Sequence, residues 1–104
     1  MSVISVFSIF ANADEAERIG RQLVEERLAA CVNILPGVRS IYRWDGEIES
    51  SAEVAAIFKT TDQQADAIMT RIAGLHSYDV PCVVSWPIDR ILEPYAAWVE
   101  DSTG

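Results

Sequence analysis

Residues 31–60, CVNILPGVRSIYRWDGEIESSAEVAAIFKT, decide the fold. Val38, Ser40, Tyr42 and Trp44 alternate on one face, as a strand requires. Asp45-Gly46 then signals a tight hairpin, because a type I′ turn needs positive φ that Gly supplies without steric cost. Pro36-Gly37 interrupts the first strand and predicts a bulge. The returning strand runs from Glu47 to Thr60. Its near half carries Glu47, Glu49, Ser51 and Glu53 on one wet side, and its far half is the buried apolar run VAAIF.

The flanking segments follow the same logic. Ser2 to Phe10 is rich in Val, Ile and Phe and short enough for a buried strand. Asn12 with Glu15 three residues on predicts a capped helix over Ala13 to Leu28, in which Ala16, Ile19, Leu23, Val24 and Leu28 share a face. Thr61 to Gln64 fits a second capping box, leading a helix that ends near Leu75. The run CVVSW, closed by Pro87, predicts a fourth strand, and Glu93 to Glu100 a terminal helix. The order βαββαβ predicts an α+β, ferredoxin-like domain, with helices on one face of an antiparallel sheet in strand order 4-1-3-2.

A strand from Cys31 to Trp44 spans roughly 45 Å at 3.3 Å per residue, more than a small core covers. The hairpin arm, with Ile41, Tyr42 and Trp44 exposed, therefore predicts a homo-oligomer.

Composition narrows the function. The 104 residues are 50% hydrophobic and carry a formal charge of −8, with Lys59 the only lysine. One domain over residues 1–104 is expected. An acidic field of this size argues against nucleic acid and against anionic membrane surfaces. No apolar run approaches a membrane span, and the N-terminus lacks a secretory pattern, so a cytoplasmic protein is expected. Cys31 and Cys82 lie far apart, without zinc-knuckle or redox spacing, and are expected as free thiols. No Gly-rich phosphate loop, nucleophile elbow or metalloprotease helix appears, so the chain is not expected to be an enzyme.

The stretches LVEERLAACVNILPGVRSIYRWDGEIE (Leu23 to Glu49), the segment ending in Lys59-Thr60, HSYDVP (His76 to Pro81) and YAAW (Tyr95 to Trp98) together resemble the CutA family of small divalent-cation tolerance proteins. The resemblance implies a ferredoxin-like subunit in a homotrimer, similar in architecture to the PII signalling proteins, with extended hairpins around the threefold axis. It also implies a cytoplasmic protein tied to copper and other divalent metals. Where copper ligation is proposed in such proteins, it draws on a Cys ending the first strand and two adjacent histidines; here Phe10 and Leu75 stand at two of those positions, and only His76 remains. The common final carboxylate of the HPYEVPE segment is Cys82.

Two sets of residues are candidates. For Cu²⁺ or another weakly held divalent cation they are His76, Asp79 and Cys82, with Cys31 on the opposite edge strand able to join only across a subunit interface. The alternative for His76 is a helix-end hydrogen bond, and for the thiols a place in the core. For a small anionic ligand the candidate is Lys59, with Glu53, Tyr42, Trp44 and Tyr78 about an inter-subunit cleft, as the resemblance implies. The alternative for Lys59 is a structural ion pair with Glu53. Trp86, Trp98 and Tyr95 are expected as core and interface anchors. A trimeric scaffold that binds partners through its arms is the third reading.

Overall fold

A computed structural model describes residues 2–104. The elements run β1 (Val3–Phe10), α1 (Ala13–Glu25), β2 (Cys31–Trp44), β3 (Glu47–Thr61), a 3₁₀ turn (Asp62–Gln64), α2 (Ala65–Leu75), β4 (Val83–Pro87) and α3 (Glu93–Asp101). The four strands form one antiparallel sheet in the order β2-β3-β1-β4, the arrangement expected from the sequence.

Alternation along the two central strands assigns the sheet faces. Ile4, Val6 and Phe10 of β1 and Val54, Ala56 and Phe58 of β3 point to one side. There they pack with Ile19 and Leu23 of α1 and Ile68 and Ile72 of α2 into the main core. The odd-numbered residues point the other way. On that side α3 covers only one end, through Val99 and Ala96 against Val3 and Ala30. The expectation of helices on one face is thus corrected. The remainder of the second face stays open, with Leu35, Val84 and Trp86 exposed by 43%, 44% and 42%.

The hairpin is as read. Asp45 and Gly46 both take positive φ, 52° and 81°, and the register shifts between Leu35 and Val38, across Pro36-Gly37. The arm reaches beyond the helices and stretches the molecule to 45 × 26 × 22 Å. Its radius of gyration, 14.2 Å, exceeds the roughly 13 Å of a compact chain of this length.

Two helix boundaries differ from the sequence expectation. Helix α1 stops at Glu25 instead of Leu28, because Arg27 turns left-handed at φ 63° and both Leu28 and Ala29 amides fold back onto the Leu23 carbonyl. That costly conformation is held by tertiary bonds: the Arg27 guanidinium donates to the Gly104 and Asp101 carbonyls, and the Arg27 carbonyl accepts from Gly104. The capping box at Thr61 does not form. Thr61 is the last residue of β3, paired with Val3 and buried, so its hydroxyl caps nothing.

Helix α1 lies close on β2 at Gly20. A Cβ there would sit 2.8 Å from Cγ1 of Val32, a β-branched side chain with little rotameric freedom. Gly20→Ala is expected to lower unfolding stability by about 1–3 kcal/mol in urea titration. Adding Val32→Ala should remove that increment, and a double variant with the same Gly20→Ala cost would refute the contact.

Candidate functional site

The bulge at Pro36-Gly37 sets where the arm's side chains go. Before it, Cys31, Asn33 and Leu35 share the open face; after it, Val38, Ser40, Tyr42 and Trp44 do, opposite Glu53, Ser51, Glu49 and Glu47. An extra residue on one strand inverts its phase. Tyr42 and Trp44 are thereby turned toward residues 77–82, and the two segments enclose a cleft of about 640 Å³. It is lined by Ile9, Ser40, Tyr42, Trp44, Glu49, Glu53, Ser77, Tyr78, Asp79, Val80 and Cys82.

The loop wall of the cleft is anchored from below. Glu15, buried under the loop, accepts from the Ser77 amide at 2.8 Å and the Ser77 hydroxyl at 3.0 Å. Its other contacts are at the helix start: the Glu15 amide donates to the Asn12 side chain, and its carboxylate takes the Ala11 amide instead of the Asn12 amide of a regular capping box. Burial raises the Glu15 pKa, but the Ser77 and Ala11 bonds outweigh it and hold the carboxyl below its ordinary value.

His76 is fixed from both ring nitrogens. Nε2 lies 2.7 Å from the Ile9 carbonyl, and Nδ1 accepts the Tyr78 amide at 3.1 Å. A carbonyl partner requires the proton on Nε2, and an amide partner requires the lone pair on Nδ1, so the neutral tautomer is assigned by its neighbours. The ring also stacks on Phe10 at 4.8 Å. Beyond it, the Tyr78 hydroxyl donates to Glu53 at 2.5 Å. Burial, with the Glu53 bond second, pushes the phenol up to about 12.

The sequence candidates therefore separate into two places. Glu53, Tyr42, Trp44 and Tyr78 line the cleft, and so do Asp79 and Cys82 of the metal set. Lys59 does not. It stands six residues along β3 from Glu53, roughly 20 Å away, and its ammonium donates to Asn33. The ion pair with Glu53 is thus corrected, since the Glu53 carboxylate is held by Tyr78 instead. Cys31 is also remote, on the opposite edge of the sheet, with its sulfur 3.4 Å from the Tyr95 hydroxyl. Both thiols are unpaired; Cys82 is exposed and Cys31 half-buried, so the core placement does not hold for Cys82. Trp86 and Trp98 are exposed in the single chain.

A divalent metal does not fit one chain. Among the described residues, no three His, Cys, Asp or Glu side chains stand together as a ligand group. His76 would have to give up a backbone bond to bind one. Glu15 and Ser77 were not read as site residues, and Glu49 was read as part of a wet strand face able at most to hold a hard cation weakly. Glu15 carries a sequence signal for capping alone, because its partner lies 62 positions away.

A family model described as CutA1 divalent ion tolerance protein matches residues 4–102. The curated divalent-cation tolerance protein CutA of Thermus thermophilus is 45% identical over 89 residues, 86% of each chain. The chloroplastic protein CutA 1 of Oryza sativa is 37% identical over 96% of this chain and 56% of its own length. The crystal structure of CutA from Xylella fastidiosa superimposes with a TM-score of 0.97 at 38% identity, covering both chains fully.

A pH test reads the anchor. A carboxylate whose folded pKa is depressed contributes stability above its unfolded value and loses it as pH falls through the folded value. The Ser77 amide resonance is therefore expected to titrate with a midpoint below the ordinary 4.5, with the loop loosening over that range. Glu15→Gln should abolish that titration. A Ser77 amide indifferent to acid would remove Glu15 from this role.

Proposed function

The chain belongs to the CutA1 divalent ion tolerance family, and from that premise we propose that it is a cytoplasmic, homotrimeric protein of metal tolerance, acting by binding and not as an enzyme. The observation that carries this is the match of the family model over residues 4–102. The open sheet face and the arm support the oligomer: Leu35, Val84 and Trp86, with the arm's Ile41 and Ile48, leave apolar area that a single chain cannot cover. Two unpaired cysteines suit a reducing compartment. No helix among the described residues is long and apolar enough to cross a membrane.

Metal binding in this reading is weak and completed between subunits. Asp79 and Cys82, the members of the expected metal set that line the cleft, are both exposed and offer one oxygen and one sulfur donor. A tight transition-metal site takes three or four ligands, so further ones come from another subunit, where Cys31 is a candidate. His76 is left as the residue that fixes the loop. Catalysis is disfavoured because the sole histidine has no free ring nitrogen to serve as a base. The anion-sensor alternative has less support, since Lys59 lies outside the cleft that one chain forms.

Sedimentation of the purified protein is expected to give three chains per particle. Titration with Cu²⁺ should saturate at a defined ratio, and Cys82→Ser should weaken it at least about tenfold, the effect of losing roughly 1.4 kcal/mol, with the trimer intact. Copper binding equal in the wild type and in Cys82→Ser, or no saturation, would refute the site. A monomer would refute the assembly.

A further inference from the structure

The loop before β4 is held by a group that can change its charge. His76 donates from Nε2 to the Ile9 carbonyl at 2.7 Å and accepts the Tyr78 amide on Nδ1 at 3.1 Å. Only the neutral ring can do both, because an imidazolium carries a proton on each nitrogen and accepts nothing. We propose that His76 is a pH-operated latch: a proton on Nδ1 sets two N–H donors against each other, breaks the bond to Tyr78 and releases Tyr78 and the residues after it from a ring that stays bonded to β1. The proposal does not rest on the metal reading, in which His76 is no ligand.

Position keeps the latch within one chain. The ring stacks on Phe10 at 4.8 Å, and Phe10 belongs to the main core under α1 and α2, on the side of the sheet away from the open face. Tyr78 carries the effect across. Its ring packs beside the imidazole at 4.9 Å, and its hydroxyl donates to Glu53 at the other end. A proton gained on the helix side is thereby felt at β3, through one residue that bonds to both.

The neighbouring charges are few. On α1 the Glu15 carboxylate is near enough to feel the charge of the ring, and it holds Ser77 in place. β1 presents Ile9 and Phe10, which do not titrate. From β3, Glu53 reaches the ring through the Tyr78 hydroxyl, and on α2 Arg71 is paired with Glu26. Asp79 is the other charged residue of the loop. The pH range then separates latch from anchor. Histidine is the side chain that ordinarily changes charge between pH 5 and 8, whereas the Glu15 carboxyl is held below 4.5. The hold on Tyr78 is complete at the alkaline end and is lost as pH falls and the ring takes its proton.

Nitrogen-15 spectra of the full, assembled chain between pH 8 and 5.5 test this. The expected result is an Nε2–H tautomer at pH 8 and a ring that becomes protonated on acidification. With the same midpoint, hydrogen-exchange protection of the Tyr78 amide should fall about tenfold or more, as loss of one hydrogen bond implies. His76→Gln, with no proton to gain in this range, should show no such transition. A Tyr78 amide that keeps its protection while the ring titrates would overturn the latch, as would a ring still neutral at pH 5.5. The same transition in His76→Gln would also overturn it. Where that variant does not fold, coincidence of the two midpoints in the unaltered chain decides.

Discussion

The bulge at Pro36-Gly37 is the constraint on which the site depends. Between Leu35 and Val38 strand β2 advances three residues while β3 advances two, from Ala55 to Glu53. A regular ladder would place Tyr42 and Trp44 on the opposite face of the arm, away from Glu49 and Glu53. One extra residue therefore brings aromatic rings and carboxylates together. Gly37, at φ 82°, supplies the backbone conformation that permits it, and the space around it is open. The bulge thus fixes a chemical surface through backbone geometry, with no side chain of its own involved.

The opposite wall is built by a different means. Residues 76–79 have no regular structure, yet their polar groups are bonded to fixed partners: Ser77 to Glu15, His76 to the end of β1, Tyr78 to Glu53. Each bond crosses more than twenty residues of sequence, so the loop is held by the finished fold and not by local preference. This decides the fate of the histidine. A ring with a backbone donor on one nitrogen and a backbone acceptor at the other is a structural clamp, and freeing it leaves a half-buried amide or carbonyl unpaired, at about 1–3 kcal/mol. With its single histidine used in this way, the chain presents carboxylates, rings and one exposed thiol at the cleft.

The fold was legible in the sequence wherever the signal was local. Asp45-Gly46 announced the hairpin, Pro36-Gly37 the bulge, and the change of period from two to 3.6 the strands and helices between them. Where reading failed, a long-range contact overrode a local one. Thr61 has the right neighbours for a capping box, but pairing with Val3 keeps it in the strand. Arg27 has a helical sequence around it, but its bonds to the 101–104 segment hold it left-handed. The site was half legible. Tyr42, Trp44, Glu53 and Tyr78 stand together along one cleft of a single chain, while Lys59 lies six residues along β3 from Glu53, a separation that the strand period in the sequence already implies. Glu15 was invisible, because nothing local distinguishes a capping glutamate from one that also holds a distant loop.

The same alternation that builds the core leaves the second face unfinished. Two helices satisfy one side of the sheet, and α3 reaches only the end marked by Val3 and Ala30. Phe7 and Trp86 already pack together there at 5.8 Å, but Leu35, Val84 and Trp86 still meet water. A domain of 104 residues has a small core to offset that exposure. Closure by further copies of the chain, as in the proposed trimer, buries this face and steadies the arm. The cleft then needs no large motion to form, since the bulge, the Glu15 anchor and the clamped histidine set its walls within one subunit. Assembly would govern access to the cleft and complete its walls.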